Sequence, residues 1–236
     1  MRFCKVLLKL SGEALSGKEG QLDLSAITSI CNRILPALKK NVKIGIVVGG
    51  GNLFRGNPSR NNLNIPRAKA DMIGMLATIM NAFAVSEIFK LLGCDSKVIT
   101  PFDIPSAEKF NLDLVKDLIE KGTVVVFGGG TGNPFFTTDT AAALRAAQIG
   151  CDILMKATNV DGVYDKDPKK DKTARRFDRL SFEDVLSKQL EVMDLAAVSL
   201  CRDNNIPIAV FNFNDPDAFI DICSGDTQKS TIIGGK

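Results

Sequence analysis

Residues 42–51, VKIGIVVGGG, form a short apolar run that ends in three consecutive glycines. The same pattern returns at residues 123–130, TVVVFGGG, and a run from Phe3 to Ser11 likewise ends at Gly12. Short apolar runs that end in glycine are typical of buried parallel strands followed by tight turns. The repeated pattern indicates a sheet whose strands all end in glycine-rich loops.

Helical patterns separate these predicted strands. Apolar residues spaced three or four positions apart predict one helix after each strand. These helices begin near Leu24, Ile73, Leu112, Ala141, Phe182 and Ala196. In the second helix the apolar positions are Ile73, Leu76, Met80, Phe83 and Ile88, and this helix could be an interface element or a core helix. Residues 231–233 near the end of the chain predict an edge strand. This alternation predicts an α/β fold, a three-layer αβα sandwich with a mainly parallel central sheet, as a single domain over residues 1–236.

The composition excludes several kinds of chemistry. The 236 residues contain no histidine, so histidine triads, imidazole bases and histidine-ligated metals are absent. Against 27 acidic residues stand 30 Lys and Arg, a net charge of +3 that is too balanced for a continuous nucleic-acid-binding face. No nucleic-acid partner is expected. Catalysis must therefore depend on Lys, Arg, Asp and backbone N–H groups.

The chain has the character expected of a cytoplasmic protein. Its six cysteines are far apart and form no C-x-x-C pair, which favours reduced thiols. Lys5 and Lys9 interrupt the apolar start of the chain, so no signal peptide is predicted. The longest uncharged apolar stretch, Met72–Ser86, is shorter than the roughly 18 residues that a membrane span needs. No membrane association is expected.

Three loops follow strands at the carboxyl edge of the predicted sheet: Ser11–Gly12, residues 49–55 and residues 128–139. Open α/β sheets bind ligands at this edge, where glycine lets backbone N–H groups approach an anion. The alternative is that these glycines only make tight turns. Lys9 and Arg55 add positive charge to the first two loops, and the combination predicts a ligand with several phosphates.

The first glycine loop also matches the spacing of a P-loop, since residues 12–18 read GEALSGK. A P-loop needs Ser or Thr after the lysine and a helix that starts at once, whereas Glu19 and Gly20 follow here. The glycines at residues 49–51 and 130–132 do not continue as G-x-G-x-x-G. P-loop and Rossmann modes of nucleotide binding are therefore disfavoured.

Six segments carry recognisable motifs. They are VLLKLSGEAL (6–15), VVGGGNLFRG (47–56), IGMLATIMN (73–81), TGNPFFTTD (131–139), KATNVDGVYDKDP (156–168) and VMDLAA (192–197). In this order, and over nearly the whole chain, they resemble the motif set of the bacterial uridylate kinases of the amino acid kinase family. TGNPFFTTD is the most specific, because related carbamate and acetylglutamate kinases are not expected to carry it.

The resemblance implies an amino acid kinase-like fold and transfer of the γ-phosphoryl group of ATP to UMP, with Mg²⁺ held mainly through the nucleotide phosphates. It further implies a UMP-binding lobe at about residues 1–150 and an ATP-binding lobe at about residues 151–236. A homo-oligomer, in this family a hexamer, and feedback inhibition by UTP are also implied.

The resemblance assigns roles residue by residue. Lys9 and Lys156 end two strands and would neutralise the transferred phosphoryl group, while Asp139 and Asp194 would orient the lysines as acidic partners and could touch the metal. The residues implied in ATP binding are Lys9, Leu10, Ser11, Gly12, Gly51, Arg55, Thr158, Asn159, Tyr164 and Asp167. Those implied in UMP binding are Gly50, Asp71, Thr131, Gly132, Asn133, Pro134, Phe135, Phe136, Thr137 and Thr138.

Simpler roles exist for several of these residues. Lys9 could extend from an edge strand into solvent, and Asp139 could be an ordinary residue of a helix start. Phe135 and Phe136 could be core or subunit contacts rather than base-stacking groups. Two other functions stay open: another amino acid kinase that acts on a carboxylate or carbamate, and a nucleotide-binding protein of this fold without turnover.

Overall fold

The computed structural model describes residues 3–17, 21–54, 65–188, 190 and 192–235, in which strands and helices alternate along the chain. The strands are β1 (Lys5–Leu10), β2 (Lys43–Val48), β3 (Ser96–Thr100), β4 (Glu108–Lys109), β5 (Val124–Phe127), β6 (Ile153–Thr158), β7 (Val163–Tyr164), β8 (Arg176–Phe177), β9 (Arg179–Leu180), β10 (Ile208–Asn212) and β11 (Ser230–Ile233). The helices are α1 (Leu24–Lys39), α2 (Arg67–Leu91), α3 (Leu112–Glu120), α4 (Thr138–Ile149), α5 (Phe182–Ser187), α6 (Leu195–Asp203) and α7 (Ala218–Ser224), with a 3₁₀ turn at Gly12–Leu15.

Within the described residues, nine strands form one sheet in the order β4-β3-β5-β2-β1-β6-β10-β11-β9. The strands of the first half of the chain lie on one side of the β1–β6 boundary, and those of the second half lie on the other. Strands β1 and β6 are parallel neighbours in which Lys9 is paired with Lys156. The side on which successive strands are added to the sheet changes at this boundary. Open α/β sheets form their ligand crevice at such a point.

Helices cover both faces of the sheet, which confirms the three-layer αβα expectation. Alternate residues of β1 enter different cores: Leu8 packs with residues of α1, α2 and α7, while Leu7 packs with residues of α4 and α6. Successive side chains of a strand point to opposite faces, so an all-apolar strand is what a sheet covered on both sides requires.

The expectation that residues 231–233 form an edge strand is wrong. Strand β11 lies antiparallel to β10 and pairs on its other side with β9, whose two residues Arg179 and Leu180 form the edge. Strand β4 forms the opposite edge and is equally short. Neither edge strand is long enough to produce a recognisable alternation in the sequence.

The apolar positions that predict α2 divide between surface and core. Ile73, Leu76 and Met80 are 39%, 48% and 59% exposed, whereas Ile88 and the face that carries Ala82 are buried. Helix α2 is apolar on almost every side, so spacing alone does not show which face enters the core. One side of the helix is therefore core, and another side is exposed.

Among the described helices, α2 is the one that is long and apolar enough to cross a membrane by length and composition. The uncharged stretch Met72–Ser86 therefore underestimated the length of this apolar helix. More than half of its most apolar window is buried within the protein, where α2 packs against α1, β3 and β5. A core helix accounts for this composition.

The burial of α2 predicts a large difference between two substitutions near its carboxyl end. Phe89 is 0% exposed and Leu91 is 81% exposed. We expect Phe89→Ala to lower the free energy of unfolding by about 3–5 kcal/mol through lost burial and a cavity. The matched control Leu91→Ala should change it by less than about 0.5 kcal/mol. Urea unfolding followed by circular dichroism measures both, and equal losses would contradict this packing of α2.

Candidate active site

Two lysines and one carboxylate meet at the boundary between β1 and β6. The Nζ of Lys9 lies 2.7 Å from Oδ1 of Asp139, and the Nζ of Lys156 lies 2.8 Å from its Oδ2. Asp139 stands in the first turn of α4, and Lys156 also donates a hydrogen bond to the carbonyl of Val192. Lys9 is buried, so it does not extend into solvent from an edge strand.

The charges of this trio support one another. Burial by itself would raise the pKa of Asp139, but the ammonium groups of Lys9 and Lys156 outweigh it and hold that pKa below its ordinary value. Burial lowers the pKa of Lys156, and the charge of Asp139 opposes this effect. With both lysines protonated and Asp139 ionised, the trio offers one net positive charge to an anion.

Asp194 has different partners from those that the resemblance implies. Its carboxylate accepts hydrogen bonds from the hydroxyls of Thr137 and Thr140, the latter at 2.9 and 3.0 Å. It also caps α6 by accepting from the N–H of Ala197 at 2.8 Å. The structure thus places Asp194 against the start of α4 rather than in an ion pair with either lysine.

The first two glycine loops touch each other. A Cβ on Gly12 would lie 2.6 Å from the backbone nitrogen of Gly51, and a Cβ on Gly49 would lie 2.7 Å from that of Gly12. Real Cβ atoms do not approach other atoms so closely, so neither position has room for a side chain. These glycines are therefore needed for the approach of two backbones, as well as for any contact with a ligand.

Helix α2 holds the second and third loops through buried polar side chains. Asn81 donates a hydrogen bond to the carbonyl of Gly49 at 2.7 Å and exchanges amide hydrogen bonds with Asn52. Thr78 accepts a hydrogen bond from the N–H of Gly129 at 2.7 Å. The motifs that contain Asn81, Thr78 and Asn52 indicate no such role for them. Two polar residues three positions apart in the uncharged part of the helix were the available signal.

A cavity of about 400 Å³ opens beside the two lysines. Of the residues implied in ATP binding, six line this lysine cavity: Lys9, Ser11, Gly12, Gly51, Thr158 and Asn159. Lys156 also lines it, and Ser11 caps the 3₁₀ turn by accepting from the N–H of Ala14. Leu10, which the resemblance also implies in ATP binding, is fully buried and does not line this cavity.

A second cavity, of about 220 Å³, lies between α2 and the third loop. Of the residues implied in UMP binding, six line this Asp71 cavity: Gly50, Asp71, Thr131, Phe136, Thr137 and Thr138. The carboxylate of Asp71 accepts a hydrogen bond from the N–H of Phe135 at 2.8 Å. Phe135 itself is exposed and has a left-handed backbone with a φ of 73°.

The two cavities share part of their walls. Gly50, Gly51 and Thr138 line both of them. Thr137 caps α4 by accepting from two backbone N–H groups, so the positive end of α4 points to this shared wall. A ligand in each cavity would meet the other beside the Lys9–Asp139–Lys156 trio.

The remaining implied residues lie elsewhere. Gly132, Asn133 and Pro134 belong to the third loop but do not line either cavity. Tyr164 lies in β7, and Asp167 occupies a charged turn where its carboxylate accepts from the N–H of Lys169. Arg55 lies outside the described residues.

The donor set does not form a protein cage for a metal. In the described part of the chain, no group of three or more Cys, Asp or Glu side chains could hold a metal ion. The oxygens of Asp139 face two ammonium groups, and those of Asp194 accept from threonine hydroxyls. Such a set fits a magnesium ion that nucleotide phosphates hold, the usual arrangement for Mg²⁺.

Known proteins resemble the chain over its whole length. A uridylate kinase of Zymomonas mobilis is 50% identical over 235 residues, which cover 98% of this chain and 96% of that protein. A chloroplastic uridylate kinase of Arabidopsis thaliana, PUMPKIN, is 44% identical over all of this chain and 70% of its own length. The crystal structure of UMP kinase from Bacillus anthracis superimposes with a TM-score of 0.94 at 35% identity, over 99% of this chain and 97% of that one.

These similarities confirm the resemblance that the six motifs carry. They agree with the architecture, since the matched UMP kinase structure covers both halves of the sheet. Residues 5–212, from the start of β1 to the end of β10, match the amino acid kinase family, and the chain belongs to that family.

Proposed function

We propose that this protein transfers the γ-phosphoryl group of ATP to the phosphate of UMP, which gives UDP and ADP. The observation that carries the proposal is the pair of cavities that share Gly50, Gly51 and Thr138 next to the lysine trio. A phosphoryl transfer needs a donor and an acceptor that meet in line at a positively charged point. The uridylate kinases among the relatives support UMP as the acceptor.

This reaction suits a protein without histidine. The second pKa of a phosphate monoester is about 6, so UMP already carries a nucleophilic oxyanion at neutral pH. No general base is required, and catalysis consists of positioning two polyanions and neutralising charge. Magnesium, held mainly by the phosphates of ATP, would supply positive charge that offsets their negative charge.

In this proposal ATP occupies the lysine cavity. Backbone N–H groups of Gly12 and Gly51 bind its phosphates, and Lys9 and Lys156 approach the γ-phosphoryl group from two neighbouring strands. Asp139 keeps both ammonium groups in place, and Asp194 positions the start of α4 through Thr137. Ammonium groups that are already oriented stabilise charge on the transferred group without further rearrangement.

UMP occupies the Asp71 cavity. The Asp71 carboxylate accepts hydrogen bonds from the ribose hydroxyls, and the third loop, from Thr131 to Thr138, binds phosphate and uracil. A site that pairs each polar group of uracil would reject cytosine, because cytosine would leave buried donors or acceptors unpaired.

The assembly and regulation of the protein are also part of the proposal. The exposed apolar face of α2, with Ile73, Leu76 and Met80, supports a homo-oligomer, and a hexamer is the state that the family resemblance implies. UTP would inhibit by occupying the UMP site. A cytoplasmic location without membrane or nucleic-acid partners stays a prediction from the sequence.

A substrate panel tests the proposed reaction. ADP release with Mg-ATP is measured for UMP, CMP, dUMP, AMP, carbamate and acetylglutamate. We expect turnover with UMP to exceed that with every other acceptor. Turnover with a carboxylate or carbamate but not with UMP would replace the proposal by another amino acid kinase activity, and ATP binding without any turnover would indicate a binding protein.

Removal of Lys9 tests the charge stabilisation. We expect Lys9→Met to lower kcat by about 10²–10³-fold, the range for loss of one preoriented charge-stabilising donor. A steady-state assay at saturating ATP and UMP measures this effect. Near-normal turnover in a folded variant would reassign Lys9 to a structural role.

A stability measurement accompanies this test. Lys9→Met leaves Asp139 paired with Lys156, so one carboxylate still faces one ammonium group. We expect Lys9→Met to unfold within a few degrees of the wild type, because this remaining pair is neutral, and to stay slow. Thermal unfolding followed by circular dichroism measures this.

Substitution of Asp71 tests the acceptor site. Asp71→Asn removes a charged acceptor whose hydrogen bonds contribute roughly 1.5–3 kcal/mol, so UMP affinity should fall by about 10- to 150-fold. ATP affinity should hardly change, because Asp71 does not line the lysine cavity. Isothermal titration calorimetry with each nucleotide measures both. Equal weakening of the two ligands would mean that Asp71 supports the crevice as a whole.

A further inference from the structure

Tyr164 belongs to a two-stranded ribbon that continues from the wall of the lysine cavity. Asn159 lines this cavity, and a few residues later β7 pairs antiparallel with β8, with Tyr164 opposite Arg176. The phenol of Tyr164 donates a hydrogen bond of 2.6 Å to Oδ1 of Asp161. The hydroxyl end of the ring is therefore hydrogen-bonded to a carboxylate.

The planar guanidinium group of Arg176 binds that carboxylate. Its Nη1 donates to Oδ2 of Asp161 at 3.0 Å and to the Asp161 carbonyl at 3.4 Å. Its Nη2 donates to Oδ1 of Asp178 at 3.1 Å and to the carbonyl of Gln228 at 2.8 Å. The side chain is 23% exposed. A guanidinium group can make these contacts at once, whereas an ammonium group lacks the fork geometry.

The ribbon backbone is attached to the central sheet by a different residue. Thr231 of β11 accepts a hydrogen bond from the N–H of Val163 at 2.8 Å, and its hydroxyl donates to the carbonyl of Phe177. A Cβ on Gly162 would lie 2.4 Å from the Thr231 hydroxyl, so the ribbon packs directly on β11. Thr231 therefore anchors the ribbon backbone independently of Arg176, and the contact of Arg176 that leads to Tyr164 is its hydrogen bond to the Asp161 carboxylate.

We propose that Arg176 is a positioning residue for a nucleotide base that extends from the lysine cavity to the ribbon: its guanidinium group fixes Asp161, and Asp161 holds the Tyr164 ring in the orientation that meets the base of ATP. This inference rests on the proposed function, which assigns ATP to that cavity, and on the expectation from the family resemblance that Tyr164 binds ATP. A ring that is already oriented loses little conformational freedom on binding, which raises affinity. Arg176 thereby sets the affinity for ATP and leaves the chemical step unaffected.

The chain provides a spectroscopic probe for the central contact. Tyr164 is the single tyrosine and there is no tryptophan, so tyrosinate absorbance reports this residue alone. The hydrogen bond to Asp161, together with burial, raises the pKa of Tyr164 above its ordinary value of 10.0. We expect Asp161→Asn to lower this pKa toward the ordinary value, and an unchanged pKa would overturn the proposed tie between the two side chains.

The main experiment measures ATP binding by calorimetry with a non-hydrolysable ATP analogue. We expect Arg176→Met to raise the Kd of the analogue by about 5- to 20-fold. This is less than the full free energy of a charge-assisted hydrogen bond, because Arg176 acts on the ligand only through other residues. KM for ATP should rise in parallel, with KM for UMP and kcat unchanged. The matched control is Arg175→Met, which changes the neighbouring, exposed arginine and should bind the analogue like the wild type.

A double-mutant cycle tests whether Arg176 acts through the phenol. In a Tyr164→Phe background, Arg176→Met should raise the Kd by less than about twofold, since the tie to Asp161 is already lost. The inference would be overturned by an unchanged Kd for Arg176→Met or by the same roughly 5- to 20-fold rise in Kd in both backgrounds. An equal rise of the KM values for ATP and UMP would also overturn it. Absence of UDP formation by the wild type would instead refute the proposed function, and the calorimetric cycle would still decide the role of Arg176.

Discussion

The site depends on one buried electrostatic arrangement, in which two ammonium groups from adjacent parallel strands share a single carboxylate. Both ammonium groups are largely buried, and Asp139 supplies the counter-charge that offsets the cost of their desolvation. Asp139 in turn remains ionised because two cations face it. The position of α4 is therefore coupled to the register of β1 and β6.

Close backbone contact provides the second constraint on the site. Helix α2 presents small and polar residues to the second and third loops, and a Cβ on Gly50 would lie 2.8 Å from the carbonyl of Gly74. Because these positions have no Cβ, helix α2, two loops and the end of a strand can lie close to one another. The same helix carries Asp71 at its start and Asn81 further along, so a single rigid element sets the geometry of both cavities.

Much of the fold could be predicted from local patterns, because apolar runs ending in glycine and helical spacing are properties of a few adjacent residues. The pairing of Lys9 with Lys156 is different, since it depends on the order of strands that are far apart in sequence. The orientation of α2 and the partners of Asp194 also depend on tertiary packing, and a nearly uniform apolar helix contains too little periodicity to reveal its buried face. Asn81 was overlooked because its role is to hold backbone rather than to meet a ligand.

The strand order has a consequence for synthesis on the ribosome. Strand β1 is made first, and its neighbour β2 follows soon, but its other neighbour β6 begins only at Ile153. Until β6 emerges, the nascent chain exposes an unpaired edge of β1 in the middle of the future sheet. An open apolar edge is prone to pair with other chains. Lys9 lies in this strand, and a charged residue in a strand whose edge is still open opposes such pairing.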